Sequence, residues 1–172
     1  VDAAVAASFT ISVVRCYSCG LGGGGFMLIH LNADPIYGTL DTAINYREHA
    51  PACATPDFYQ ADPDPEAALY GGKAVAVPGT VAGLLYAHEK FGRLDRSRVL
   101  APAIRAAREG FVADEHYASS AAEVIDYFKR NPDAQGHKTS RFAFVWERFL
   151  NKGLVKAGDR ITLPEQAAAL EL

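Results

Sequence analysis

Apolar and polar positions alternate in two different rhythms along the chain. Residues 2–14, Asp2-Ala-Ala-Val-Ala-Ala-Ser-Phe-Thr-Ile-Ser-Val-Val14, are apolar nearly all round and rich in alanine, which predicts a buried helix with Asp2 or an earlier residue as its cap. Gly20-Leu-Gly-Gly-Gly-Gly25 then breaks regular structure. Phe26–Leu31 reads as a buried strand, Asn32-Ala-Asp-Pro35 as a turn, and Ile36–Leu40 and Thr42–Tyr46 as two further strands of an antiparallel meander. Residues 51–70 carry several prolines and read as a loop with a short helix, followed by a short strand over Lys73–Val77.

Helical spacing takes over beyond Pro78-Gly79-Thr80. Val81, Leu84, Leu85 and His88 form one stripe, ended by Gly92. Val99, Leu100, Ala103, Ile104 and Ala107 form a second, closed by Gly110. A third helix is predicted from about Asp114 to Lys129. Asn131–Arg141 is polar and loop-like, and Phe142–Leu150 fits strand or helix. Pro164 opens a last helix, with Glu165 favouring its positive end. Strands come early and helices dominate afterwards, so the fold class is α+β.

Composition changes this picture little. Of 172 residues, 49% are hydrophobic and 22% charged, which are globular values and argue against disorder. The net charge of −3 leaves no basic footprint for nucleic acid or anionic lipid. No run of roughly 18 or more apolar residues is present, so no membrane contact is expected from this segment. The chain starts at Val1, its one methionine is Met27, and it stops at Leu172 inside a helical pattern. Truncation at both ends is the expectation, which leaves the compartment open.

Candidate chemistry is sparse. The glycine run holds five of the chain's 15 glycines, but it lacks the Gly-Lys-Ser/Thr ending and following helix of a P-loop. A dinucleotide fingerprint places its strand before the glycines, and here the strand follows. Close backbone approach at the entry to a buried strand explains the run better. Cys16-Tyr-Ser-Cys19 has no second pair to complete a zinc site and no strand-then-helix setting for a thioredoxin-like unit. With Cys53 the cysteine count is odd, and the pair reads as structural or incidental rather than as a metal site. His30, His49, His88, His116 and His137 are scattered, and His88 reads as a packed, hydrogen-bonded histidine. Arg47 closes a strand ahead of Glu48, His49 and Pro51. Its guanidinium fork could bind a carboxylate by two parallel bonds, or simply pair with Glu48 at the surface.

Several motifs, in order, resemble the large subunit of γ-glutamyltransferases (glutathione hydrolases). They are Asp2-Ala-Ala-Val-Ala-Ala7, Ser18-Cys-Gly-Leu-Gly-Gly-Gly-Gly-Phe26, Tyr46-Arg-Glu-His-Ala-Pro51, and Gly71-Gly-Lys-Ala-Val-Ala-Val-Pro-Gly-Thr-Val-Ala-Gly83. Ala87–Leu94, Leu100–Phe111 and Gly158–Ala168 continue the match. The resemblance implies that residues 1–172 are a single partial domain of an N-terminal-nucleophile hydrolase, a four-layer αββα sandwich. It implies a precursor that cuts itself, and an N-terminal Thr on the small subunit that forms an acyl-enzyme with γ-glutamyl amides. No counterpart of that Thr or of the oxyanion glycines stands in this chain, so no catalytic residue, metal or cofactor is expected here. Arg47 is the one ligand carried over, for the α-carboxylate of the γ-glutamyl group, with Glu48 supporting it. The implied partners are the small subunit of the same precursor and glutathione or another γ-glutamyl compound. The family suggests a periplasmic, secreted or membrane-anchored location.

The sequence departs from the family pattern at Arg15-Cys-Tyr-Ser-Cys-Gly20, where relatives tend to read Glu-Pro-His-Ser-Ser-Gly. Ile125–Lys156 matches weakly. A cephalosporin-acylase-like or poly-γ-glutamate-cleaving relative would need the same arginine. A non-catalytic remnant or a metal-binding module remains the alternative of a different class.

Overall fold

The structure is a computed structural model and describes residues 1–63, 67–69, 71–130 and 142–172. Helix α1 (Asp2–Val14) buries one face, Val5, Phe9, Ser12 and Val13, and leaves Ala3, Ala4, Ala7 and Ile11 exposed. A helix apolar all round was expected to be buried all round; this one is covered on one side. Its main neighbour is α4 (Arg96–Glu109), whose buried face is Val99, Leu100, Ala103 and Ala107. Two alanines on that face have short side chains, which lets the helix backbones approach closely. Gly110, at φ +88°, then turns the chain out of α4.

Helix α7 (Pro164–Leu170) packs on α4 through Ala167 and Leu170, and its first turn begins at Pro164 as expected. Helix α3 (Thr80–Phe91) lies against α1. Its buried positions are Thr80, Gly83, Leu84, Ala87 and Phe91, whereas Val81, expected on the apolar stripe, is exposed. The face is rotated because Gly83 is pressed against the Tyr46 ring. Helix α5 (Glu115–Arg130) buries Tyr117, Ala121, Ile125 and Phe128. The aromatic stretch 142–150 resolves as helix: α6 (Ala143–Arg148) sets Trp146 edge-on to Phe128 at 5.7 Å. The predicted loop over 131–141 lies outside the described residues.

The expected meander is a hairpin. Strand β1 (Phe26–Asp34) pairs antiparallel with β2 (Gly38–Asn45), from Phe26↔Asn45 to Asp34↔Gly38, with a bulge between Leu31 and Asp34. The two strands read at 36–40 and 42–46 are one continuous strand. The turn sits later than expected, at Pro35–Tyr37, because the Asp34 carboxylate accepts the amides of Ile36 and Tyr37 at 2.9 and 3.0 Å. Those two bonds hold the Asp34 carboxyl below the usual carboxylate range. The strand expected over Lys73–Val77 is a 3-10 turn at Gly72–Ala74 followed by a single bridge, Val77↔His49. Gly71 at φ +85° bends the backbone there away from an extended path. A second, unforeseen pair joins β3 (Phe111–Val112) to β4 (Arg160–Ile161), each too short to show a period in sequence.

Asp2 does not cap α1. Its carboxylate instead accepts the amides of Arg93 and Leu94, 91 and 92 residues away, at 2.9–3.1 Å. His88 Nε2 lies 2.9 Å from the Leu94 carbonyl in the same knot, the packed histidine expected. No described helix is long and apolar enough to cross a membrane. The α+β class holds, and among the described residues helices cover one face of the hairpin.

Candidate functional site

The glycine loop on one side and Val77–Gly79 on the other fix one short stretch of backbone, Tyr46–His49. Gly25 and Tyr46 exchange backbone hydrogen bonds at 3.3 and 3.0 Å, extending the hairpin ladder by one pair. On the far side, His49 and Val77 exchange a second pair at 3.1 and 2.9 Å. Gly23 ties the two sides together: its carbonyl accepts the amides of Gly79 and Thr80, both at 3.0 Å. These amides open α3, which has no side-chain cap, so the glycine loop satisfies donors that a helix start otherwise leaves free.

The close approach is tight enough to require glycine. A Cβ at Gly24 would stand 2.6 Å from the Tyr46 carbonyl oxygen, and one at Gly79 only 2.0 Å from the same atom. The glycine run therefore serves backbone-to-backbone packing at the entry of β1, as its sequence setting suggested. Gly79 and Gly83 share in this clamp, and sequence reading missed them. The available signal was the Pro78-Gly79-Thr80 helix start, which was read only as punctuation.

From this clamp Arg47 and Glu48 project. The Arg47 amide donates to Asn45 Oδ1 at 3.0 Å, which fixes the turn off the end of β2. The Arg47 side chain is 66% exposed, and its Nε lies 3.5 Å from Glu48 Oε2. At that distance and exposure the pair is loose, and Arg47 borders a shallow cleft. Gly22, Ala74, Val75 and Ala76 line the cleft beside Arg47 and Glu48. Glu48 is more enclosed, at 30% exposure, and also borders a neighbouring cleft of about 310 Å³. That second cleft is walled by Ile11, Cys19, Gly23, Tyr46, Thr80 and Leu84, among others. Glu48 thus stands between the two.

The Cys16–Cys19 pair, which sequence reading kept apart from Arg47, is brought to the same neighbourhood. It forms a one-turn helix, α2 (Cys16–Cys19), directly after α1. Cys19 is exposed on the wall of the second cleft, whereas Cys16 is half-buried beside an apolar cavity of about 210 Å³ lined with Tyr117, Val124, Val145 and Phe149. Burial pushes the Cys16 thiol up from its usual range, and the same cause pushes up the Tyr117 phenol. Among the described residues no group of three or more His, Cys, Asp or Glu could hold a metal ion.

The scattered histidines do not gather. His30 pairs with Asp41 at 2.7 Å on the outer face of the hairpin, His49 takes part through its backbone, and His116 stacks edge-on to Tyr17. His137 lies outside the described residues. One polar feature escaped sequence reading altogether. Arg15 donates both terminal nitrogens to Asp114 at 2.9 and 2.5 Å, and one of them to the Tyr17 hydroxyl at 2.7 Å. Asp114 also accepts the Tyr117 amide at 2.8 Å, which caps α5. The bidentate guanidinium holds the Asp114 carboxyl at about 2. A separation of 99 residues gives no local signal for such a pair.

The family model described as Gamma-glutamyltranspeptidase matches residues 1–172. A glutathione hydrolase proenzyme of Pseudomonas aeruginosa is 38% identical over 167 residues, covering 94% of this chain and 28% of that protein. A glutathione hydrolase proenzyme of Escherichia coli is 34% identical, covering 100% of this chain and 28% of its own length. The chain therefore spans little more than a quarter of these relatives. Among solved structures, a gamma-glutamyltranspeptidase from Pseudomonas nitroreducens complexed with L-DON is similar at a TM-score of 0.79 and 35% identity, covering 99% of this chain and 46% of that one. A cephalosporin acylase from Bacillus halodurans, at 24% identity and a TM-score of 0.81, shares the fold.

Proposed function

Since this chain belongs to the gamma-glutamyltranspeptidase family, with an N-terminal-nucleophile hydrolase fold, we propose that it supplies the carboxylate-gripping wall of an enzyme that cleaves γ-glutamyl amides. The observation that carries this reading is Arg47, an exposed guanidinium on backbone clamped from both sides. Its loose contact with Glu48 leaves the planar fork available for the α-carboxylate of a γ-glutamyl group. Glu48, enclosed between the two clefts, steadies the arginine. Rigid positioning matters because a misplaced anchor moves the scissile amide away from its nucleophile.

The rest of the chemistry comes from elsewhere. Amide cleavage needs a nucleophile with a base and an oxyanion site, and the resemblance assigns these to a small subunit released from the same precursor. Relatives bearing the name proenzyme support that arrangement. The acyl donor is glutathione or another γ-glutamyl compound, and the acceptor is water or an amino acid.

Steady-state kinetics of the protein at its natural length, carrying Arg47→Lys and Arg47→Gln, tests the proposal. Losing one charge-assisted pair should cost roughly 2–5 kcal/mol in kcat/KM, mostly as a rise in KM. The comparison substrate is a 4-aminobutanoyl anilide, which lacks the α-carboxylate. It should discriminate little between wild type and variants. Wild-type kcat/KM for a γ-glutamyl anilide in both variants would make Arg47 a surface arginine and defeat the proposal.

A further inference from the structure

Cys16 and Cys19 remain outside the proposed chemistry, yet their placement is specific. The amides of Ser18 and Cys19 both donate to the Arg15 carbonyl, at 2.9 and 2.8 Å, so the four residues make one closed helical turn. Positions three apart on a helix share a face, with Cα atoms about 5 Å apart from helix geometry. That spacing falls within the range a disulfide spans. Both thiols are free in the structure. They differ in access: Cys19 is exposed on the cleft wall, with Sγ 3.8 Å from Ser18 Oγ, and Cys16 is half-buried against the core.

We infer that Cys16 and Cys19 form a dithiol site that a low-molecular-weight disulfide oxidises, with Cys19 attacking first and Cys16 resolving. In the first step the Cys19 thiolate attacks one sulfur of the small disulfide. A Cys19 mixed disulfide forms, the small S–S bond breaks, and one small thiolate leaves. In the second step the Cys16 thiolate attacks Cys19 Sγ. The Cys16–Cys19 bond forms, the mixed disulfide breaks, and the second small thiolate leaves. Two protein thiols are oxidised, one small disulfide is reduced to two thiols, and the two protein protons pass through solvent to the departing thiolates.

The order follows from exposure. The half-buried, apolar setting of Cys16 hinders an incoming disulfide and disfavours its thiolate; the first obstacle vanishes for attack on a neighbour one turn away, and the high local concentration of that neighbour offsets the second. The inference does not depend on the function proposed above. It goes beyond the reading of the pair as structural or incidental, because the fold leaves Cys19 exposed and Cys16 half-buried one helical turn away.

Peptide mapping decides it. The protein at its natural length is equilibrated with graded ratios of 2-hydroxyethyl disulfide to 2-mercaptoethanol, which carry no γ-glutamyl group, then alkylated, digested and analysed by mass spectrometry. Cys16 and Cys19 should lose alkylation together, in one peptide two hydrogens lighter, with Cys53 behaving separately. Cys16→Ser should accumulate a 2-hydroxyethylthio adduct on Cys19, and Cys19→Ser should acquire one on Cys16 about ten-fold more slowly. Persistent alkylation of both thiols at saturating 2-hydroxyethyl disulfide would overturn the inference. So would a Cys19–Cys53 link, or equal adduct rates in the two variants. The wild-type mapping stands even if a variant fails to fold.

Discussion

The helical layer and the β1–β2 hairpin are built from equally apolar sequence, yet they bury it very differently. Helices α1, α3, α4 and α7 interlock, with Val5, Phe9, Leu84, Ala103 and Ala107 at no more than 1% exposure. The hairpin contributes one buried side chain, Ile29, at 7% exposure. Met27, Leu31, Leu40 and Ile44 are half-buried on that inner face, while Phe26 and Leu28 on the outer face are 63% and 84% exposed. The difference lies in the available partners: each helix has another helix within this chain, whereas the outer sheet face and both strand edges have no cover among the described residues. Stability of the chain therefore resides in the helical layer. The hairpin owes its position to the glycine clamp and to the single face it packs, and it is also the element that carries Arg47.

Substitutions can sharpen or break this contrast. The largest effect should come from the helical core: Phe9→Ala should destabilise the protein by about 3–5 kcal/mol in urea unfolding, as truncation of a buried aromatic does. A loss below about 1 kcal/mol would mean that the helices do not dominate stability. Next comes the clamp. Gly83→Ala places a Cβ 2.2 Å from the Tyr46 side chain, and Gly79→Ala places one 2.0 Å from its carbonyl oxygen. Overpacking of this kind should cost about 1–3 kcal/mol, and it should raise KM for γ-glutamyl substrates by displacing Arg47. Thermal melts paired with kinetics would separate a clamp that positions Arg47 from one that only stabilises the fold.

A smaller, pH-dependent effect belongs to Asp114. Its folded carboxyl titrates at about 2, below its ordinary value of 3.8, because Arg15 and the Tyr117 amide favour the charged form. A depressed carboxylate adds stability above its unfolded value and loses it as pH falls through the folded one. Wild type should therefore lose part of its margin over Asp114→Asn between about pH 4 and 2, read from melting temperatures. A margin independent of pH would mean that neither Arg15 nor the Tyr117 amide favours the charged carboxylate in the folded state. Smallest in stability is Leu28→Ser on the outer hairpin face, which should change folding by less than about 0.5 kcal/mol. The same substitution should reduce self-association of residues 1–172 prepared alone, measured by sedimentation velocity, because an open strand edge beside an apolar face invites pairing. Unchanged association would mean that the face is not sticky.

Helices α1, α3, α4, α5 and α7 were legible in the sequence, whereas α2 was not and 142–150 fitted strand or helix equally. Apolar residues at helical spacing, Gly92 and Gly110 as stops and Pro164 as a start are local features, and local backbone sterics decide them. Motif order also placed Arg47 at a strand end next to Glu48, and the close packing of the glycine run followed from the strand behind it. What tertiary structure decided was every relation between distant segments. The Arg15–Asp114 pair, the Asp2 bonds to Arg93 and Leu94, and the grip of Gly79 and Gly83 on Tyr46 join residues that share no local period. The exposed side of α1 and the rotated face of α3 were likewise set by which neighbours were present to cover them. Burial is a property of the assembled surface, and a hydrophobic pattern specifies only which faces can be buried.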